Sequence, residues 1–229
     1  MMLSTNDQRV YPAVGGLSRG TSSRVVSRTH TDVAQREAMK PEQLQHIWII
    51  TGPTGSGKST VAKYLKQELK LPFLEGDDFH PQSNKDKMSN STPLTDADRW
   101  DWLISLRDTA CEILCPSASN NYQAPSGVIM TCSALKQKYR DVMRVAAYGH
   151  PTVRIHFIYL KAEEDVLMRR VHERKSHYMK SHMVHSQFEA LEEPTAEWDT
   201  LAVDVTAPRD EVQRRVSAVV AAKLAEYEC

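Results

Sequence analysis

From position 46 onward the chain alternates short, unbroken apolar runs with stretches that are apolar at helical spacing. Ile47-Trp48-Ile49-Ile50 is the first run, entering a glycine-rich turn, and Val61, Leu65 and Leu69 then recur on one helical face. Pro72-Phe73-Leu74-Glu75-Gly76 reads as a second strand that ends at Asp77-Asp78. A long helix is expected from Asp96 to Leu114, followed by a polar, proline-containing loop over residues 116–126. Val128–Cys132, Val153–Leu160 and Leu201–Val205 supply three more strands, and Val212, Val216, Val219, Val220 and Leu224 mark a closing amphipathic helix. Strands that are apolar throughout and separated by helices predict an α/β fold: a five-stranded parallel sheet with helices on both faces. Ligands of such sheets bind beyond the carboxyl ends of the strands.

Residues 1–43 depart from this pattern. They are rich in Ser, Thr, Gly and Arg, show no apolar periodicity, and read as a disordered N-terminal extension of a domain spanning 44–229. Arg9, Arg19, Arg24 and Arg28 stand there against the single acid Asp7. This composition resembles a mitochondrial presequence within residues 1–30, but the plainer expectation is a cytoplasmic protein with a disordered tail.

Composition narrows the classes further. Lys plus Arg (29) balances Asp plus Glu (29), without the basic surplus that gripping nucleic acid usually needs. No apolar run approaches the roughly 20 residues that span a bilayer, so neither nucleic acid nor membrane is an expected partner. Four cysteines, Cys111, Cys115, Cys132 and Cys229, have no CxxC spacing and read as free thiols, the pair on the long helix as packing residues. Trp100 and Trp102 likewise read as packing residues. His172, His177, His182 and His185 lack a matching cysteine pair and sit in a basic segment, which argues against a zinc site.

The chemistry begins at Gly52-Pro53-Thr54-Gly55-Ser56-Gly57-Lys58-Ser59, which satisfies GxxxxGK[ST] directly after a strand and before a helix. Glycines let the backbone wrap closely around phosphates with N–H groups pointing inward, and the helix N-terminus adds positive potential. In this motif Lys58 reaches the β- and γ-phosphates and the Ser59 hydroxyl ligates Mg²⁺. Gly52 to Thr60 is therefore the expected nucleotide-binding stretch.

Two kinds of nucleotide-binding protein remain, a regulatory switch and a small-molecule kinase. A guanine-reading Asn-Lys-x-Asp is absent: Asn84-Lys85-Asp86-Lys87 carries lysine where aspartate is required and lies too early in the chain. The third strand ends in Thr131-Cys132-Ser133 rather than in an acid, while Asp77-Asp78 end the second strand and face the phosphate loop. Arg169, Arg170, Arg174 and Lys175 follow the fourth strand and suit a lid, about residues 174–186, that closes over phosphates. A phosphotransferase is the expectation, with a catalytically silent ATP-binding regulator as the alternative of another class.

Further stretches carry a specific resemblance. Glu75-Gly76-Asp77-Asp78-Phe79-His80-Pro81, Asn84 with Lys87-Met88, Pro93-Leu94-Thr95-Asp96 with Asp98-Arg99 and Trp102-Leu103, Cys132-Ser133-Ala134-Leu135-Lys136 running on to Tyr139-Arg140-Asp141, and Arg170-x-x-x-Arg174 with His177, Ser186-Gln187-Phe188, Leu191-Glu192 and Pro194 follow one another in order. Over Ile47 to Ala222 the chain resembles the gluconate kinase (gluconokinase) family of small P-loop kinases. The resemblance implies a fold like that of nucleoside monophosphate and shikimate kinases, commonly as a homodimer. It also implies ATP-dependent phosphorylation of the C6 hydroxyl of D-gluconate to 6-phosphogluconate, for the pentose phosphate route; a related kinase acting on another small hydroxylated acid is the runner-up. Departures are Ser91 and Ser176 for glycines, Asp101 for proline, Pro53-Thr54 within the phosphate loop, and the long 116–126 loop.

The resulting assignments are specific. Asp77 or Asp78 accepts the hydroxyl proton, and the other orients a Mg²⁺-bound water. Arg99 and Arg140 hold the gluconate carboxylate, because a guanidinium can offer it two parallel hydrogen bonds. His80 bonds a sugar hydroxyl. Arg170 and Arg174 clamp the ATP phosphates, with Lys58 completing the catalytic set.

Overall fold

A computed structural model describes residues 43–90, 92–173 and 181–228. The expected extension up to residue 42, Ser91, and Arg174, Lys175, Ser176 and His177 of the expected lid lie outside the described residues.

The elements follow the order β1 (Gln45–Thr51), α1 (Lys58–Leu69), β2 (Phe73–Leu74), α2 (Gln82–Ser89), α3 (Trp100–Leu114), β3 (Gly127–Thr131), α4 (Gln137–Arg144), β4 (Val153–Lys161), α5 (Glu164–Glu173), α6 (Ser181–Glu189), β5 (Thr200–Asp204) and α7 (Arg209–Ala225). The strands form one sheet in the order β2-β3-β1-β4-β5, every neighbouring pair parallel. This is the sheet expected from the sequence. The expected long helix keeps its end at Leu114, but its first turn, Ala97–Arg99, is a tighter 3₁₀ turn.

Alternation along β1 explains the two-sided core. Ile47 and Ile49 point to one face, where Trp102, Leu103, Leu106, Ala110 and Leu114 of α3 and Met143 of α4 cover them. Trp48 and Ile50 point to the other, beneath Val61, Ala62 and Leu65 of α1 and Val212, Val216 and Val220 of α7. The i, i+4 spacing of these α1 and α7 residues is the apolar stripe that makes each segment a helix rather than a strand. Trp102 is a core residue as expected. Cys115, expected to pack, is instead exposed at the end of α3, where the backbone turns extended and leaves the helical stripe.

The carboxyl ends of β1, β2 and β3 converge on one edge, and the chain there is tight. Gly76 follows β2 so closely that a Cβ would meet the Thr131 carbonyl oxygen at 2.0 Å. Only glycine passes this point, and the following 3₁₀ turn, Gly76–Phe79, places Asp77 beside the loop after β1. The indole of Trp102 locks the turn by donating to the Gly76 carbonyl at 2.7 Å. No helix among the described residues is long and apolar enough to cross a membrane.

Candidate active site

The loop from Gly52 to Gly57 joins β1 to α1 and turns its backbone toward an open hollow. Gly57 precedes α1 with φ 96°, a left-handed conformation that favours glycine, and a Cβ there would meet nothing within 4 Å. The Ser56 hydroxyl is buried and finds no hydrogen-bond partner among the described residues. A hollow lined by turned backbone and an orphaned buried hydroxyl matches the needs of a bound phosphate. Lys58 Nζ bonds the Gly52 and Pro53 carbonyls, each at 3.0 Å, and so lies across the loop. Ser59 and Thr60 occupy the first turn of α1.

Two cavities meet at this loop. On one side a groove of about 270 Å³ runs past Gly55, Ser56, Gly57 and Thr60 to Arg170, Arg209 and Gln213. Arg170 is fixed there by a 2.6 Å bond from Nη2 to the Val205 carbonyl. On the other side a cavity of about 280 Å³ is lined by Thr54, Lys58, Asp77, His80, Arg99 and Lys136, among others. Of the sequence-predicted residues, Gly55, Ser56, Gly57, Thr60 and Arg170 line the first cavity and Thr54, Lys58, Asp77, His80 and Arg99 the second, while Gly52, Pro53 and Ser59 line neither. Both acids are exposed, but Asp77 lines the second cavity and Asp78 does not.

The second cavity holds a neutral histidine between charges. His80 stacks on Trp102 with ring centroids 4.1 Å apart. Burial, then the positive charges of Arg99 and Lys85, lower its pKa to about 4, so the ring is uncharged at neutral pH. Asn84 Nδ2 donates to the Asp98 carbonyl at 2.6 Å, which fixes the amide orientation, and approaches His80 Nδ1 at 3.4 Å. An amide nitrogen only donates, so Nδ1 accepts and the proton sits on Nε2. Asp98 accepts from Lys87 Nζ at 2.6 Å and from the Thr95 backbone at 2.8 Å, and these bonds hold its pKa at about 2.

In the same cavity, Asp96 gathers Lys136, Lys138 and the Tyr139 hydroxyl. The Lys138 bond, then that of Tyr139, holds the Asp96 carboxyl well below the usual range. Burial and the bond to Asp96 push the Tyr139 hydroxyl up to about 12. Arg99 sits over the Tyr139 ring and spends Nη1 on the Leu94 carbonyl at 2.6 Å. Asp96, Lys136 and Tyr139 belong to stretches that carried the family resemblance, yet their type and spacing did not single them out as site residues.

Arg140 does not belong to this cavity, which corrects the expectation that it holds a carboxylate. It is 1% exposed. Nε and Nη2 bond Glu197, Nη1 bonds the Ala134 and Leu135 carbonyls at 2.9 and 3.1 Å, and Nη2 also bonds the Glu192 carbonyl at 3.0 Å. These contacts engage all five of its N–H groups, leaving none for a substrate. Arg140 instead braces the loop after β3, where Ala134 adopts φ 39°, unusual for a residue with a side chain. Its neighbours Ser133, Leu135 and Lys136 form one wall of the cavity.

The sequence matches the family described as AAA domain over residues 47–198. It is 39% identical over 177 residues to a probable gluconokinase of Schizosaccharomyces pombe, covering 77% of this chain and 88% of that one. It is 41% identical over 168 residues to the thermoresistant gluconokinase of Escherichia coli, covering 73% and 89%. The crystal structure of a gluconokinase from Sinorhizobium meliloti superposes with a TM-score of 0.67 at 36% identity, over 82% of this chain and 99% of that one. A Mycobacterium tuberculosis APS kinase shares the fold at 16% identity, with a TM-score of 0.52 over 79% and 99% of the two chains. With a phosphate loop between two cavities and relatives matched over most of their length, the chain belongs to the gluconokinase family of P-loop kinases.

Proposed function

We propose that this protein transfers the γ-phosphate of ATP to the C6 hydroxyl of D-gluconate, giving 6-phospho-D-gluconate for the pentose phosphate pathway. The observation that carries this reading is the cavity pairing Lys58 and Asp77 at the phosphate loop with Arg99 farther along its wall. ATP lies with its base and ribose in the groove by Arg170, Arg209 and Gln213, and its phosphates in the Gly52–Thr60 cradle. The gluconate carboxylate meets Arg99. The C6 hydroxyl then points at the γ-phosphate.

Asp77, rather than Asp78, accepts the hydroxyl proton, because Asp77 faces the cavity shared with Lys58. A strong base is not required, since phosphoryl transfer has a loose transition state and depends mainly on alignment and charge neutralisation. Lys58 leaves the loop carbonyls for the phosphates, and His80 donates its Nε2–H to a sugar hydroxyl. Arg170, and Arg174 from the lid, hold the phosphates from the other side.

Among the described residues no cluster of three or more His, Cys, Asp or Glu is placed to cage a metal ion. That fits Mg²⁺, which keeps waters and binds through few protein oxygens plus phosphates. Ser59 would ligate it, with Asp77 reached through water. When bound, Mg²⁺ supplies neutralisation of charge on the β- and γ-phosphates.

A homodimer in the cytoplasm completes the reading and is tested by light scattering and by localisation of the tagged full-length chain. The chemistry is tested by ADP release with Mg-ATP against D-gluconate, other sugar acids, shikimate and nucleoside monophosphates. Release with gluconate alone, and 6-phosphogluconate as product, is expected. Release with another acceptor moves the reading to that substrate, and ATP binding without release overturns it in favour of a silent regulator.

A further inference from the structure

One side chain lining the second cavity is tied to the phosphate loop and has no part in the proposed chemistry. Gln187, on α6, accepts a hydrogen bond from the Thr54 backbone N–H at 2.6 Å and presents Nε2 to Thr54 Oγ1 at 3.4 Å. Thr54 belongs to the phosphate loop, and both residues line the same cavity as Lys58 and Asp77. On its other faces α6 is anchored. Val184 packs with Leu167 and Val171 of α5, and Phe188 leans on that cluster. Just beyond α6, the Glu192 backbone N–H donates to the Leu135 carbonyl at 2.9 Å, and the Glu192 carboxylate accepts from the Gln137 N–H at 2.7 Å. The helix thus forms a wall of the acceptor cavity through Met183, Ser186 and Gln187, continued by Ala190 just beyond it, and touches the phosphate loop through Gln187.

We propose that Gln187 is a positioning residue that locks the Thr54 edge of the phosphate loop to α6, keeping the acceptor in line with the terminal phosphate and closing that seam to water. This rests on the kinase reading above. The physical argument has two parts. A backbone N–H in a phosphate loop is a phosphate donor unless something else takes it, and the Gln187 oxygen takes that of Thr54. The terminal phosphate is then placed by the remaining loop N–H groups and Lys58, at a fixed offset from the wall that holds the acceptor. Transfer is sensitive to such offsets, because a shift of about 1 Å costs on the order of 10²-fold in rate. Gln187 touches the loop rather than the reacting atoms, so its effect is on alignment.

The test compares Gln187→Met and Gln187→Glu in the full chain, measuring ADP and phosphorylated acceptor in the same samples. Gln187→Met keeps the length and removes both polar atoms. It is expected to lower kcat about 10- to 100-fold, leave the KM for ATP within about 2-fold, and yield clearly more ADP than phosphorylated acceptor, because water now reaches the phosphate. Gln187→Glu keeps an oxygen on the Thr54 N–H and adds negative charge near the phosphates. It is expected to restore a ratio near one while raising the KM for ATP. Phe188→Leu loosens the packing of α5 against α6 without touching the loop, and should lower the melting temperature with the ratio unchanged. A ratio that stays near one in Gln187→Met, or that shifts equally in Phe188→Leu, overturns the proposal. Failure of the substrate reading is distinguishable, since the wild-type protein would then release no ADP in response to gluconate. In that case ATP hydrolysis without acceptor still tests the seam: Gln187→Met must exceed wild type, and equal rates refute it.

Discussion

Arg140 offers the sharpest separation between a residue that binds substrate and one that builds the site. Replacing it with Met keeps much of the buried hydrocarbon but removes all five donors. Glu197, whose side chain is 15% exposed, loses its principal partner, the carbonyls of Ala134 and Glu192 lose their Arg140 donors, and that of Leu135 keeps only the Glu192 N–H. Although burial works against it, the bonds from Arg140 and Arg144 hold the Glu197 carboxyl below its usual pKa, so removing Arg140 takes away part of what keeps this buried carboxylate charged. Arg144 still bonds Glu197 and Asp199, which limits the damage. Breaking a buried ion pair from one side costs about 3–5 kcal/mol. For a domain of this size each kcal/mol is worth about 2–4 °C, so the melting temperature should fall by about 6–20 °C in differential scanning fluorimetry. Arg140→Lys should recover little, because three donors on one nitrogen cannot reach carbonyls and carboxylate together. ATP-analogue binding at low temperature should be unchanged. A melting temperature within about 2 °C of wild type, together with a KM for gluconate raised more than about 10-fold, would refute this reasoning and return Arg140 to the substrate.

Two further outcomes follow from the same geometry. Asp77→Asn should lower kcat about 10²- to 10⁴-fold while Asp78→Asn stays within about 3-fold; equal losses in steady-state kinetics would mean that the cavity does not distinguish the two acids. At the opposite end of the sheet His46 Nδ1 lies 2.9 Å from His156 Nε2, stacked with Trp48. Burial, then the neighbouring His46 and nearby Lys223 and Arg154, lowers the His156 pKa to about 3, and His46 is lowered by burial and Arg154. The unfolded chain therefore takes up these protons near pH 6.5 and the folded one does not. Stability should be level above that pH and fall as pH drops from about 6.5 toward 3, by about 1.4 kcal/mol per unit from His156, with His46 acting in the same direction. His156→Phe should give a shallower slope in urea denaturation at pH 7.5, 6 and 5; an unchanged slope would sink the argument.

How much of this was legible in the sequence depended on how local the cause was. The strands showed because both faces of a parallel sheet are apolar, and α3 and α7 because their stripes are. Helix α2 buries only Asn84 and Met88, so no apolar period announces it. The phosphate loop was legible because its chemistry is contiguous, and the split between Asp77 and Asp78 was not, because it depends on a 3₁₀ turn. Arg140 was misassigned for a related reason. A buried arginine and a ligand-binding arginine look alike in sequence, and Glu197 stands 57 residues away. Gln187 and Thr54 are separated by 133 residues, and their contact is a property of the fold alone.

The charges around the acceptor cavity bear on which acceptor it takes. Lys136 and Lys138 are both held by Asp96, and Lys87 and Asp98 hold one another, so every one of these lysines has a carboxylate partner and the five groups together carry one net positive charge. Lys58 is assigned to the phosphates in the proposed function. Arg99 differs: among the described residues its Nε and Nη2 bond nothing, and it has no carboxylate partner. One guanidinium with an unspent edge matches one carboxylate, held by two parallel hydrogen bonds. A nucleoside monophosphate carries about one charge more at neutral pH, and a flat base that needs an apolar slot. The same cavity offers the neutral His80, whose Nε2–H suits a hydroxyl. A chain of hydroxyls ending in a single carboxylate satisfies each of these groups with little left over, and a sugar acid is that molecule.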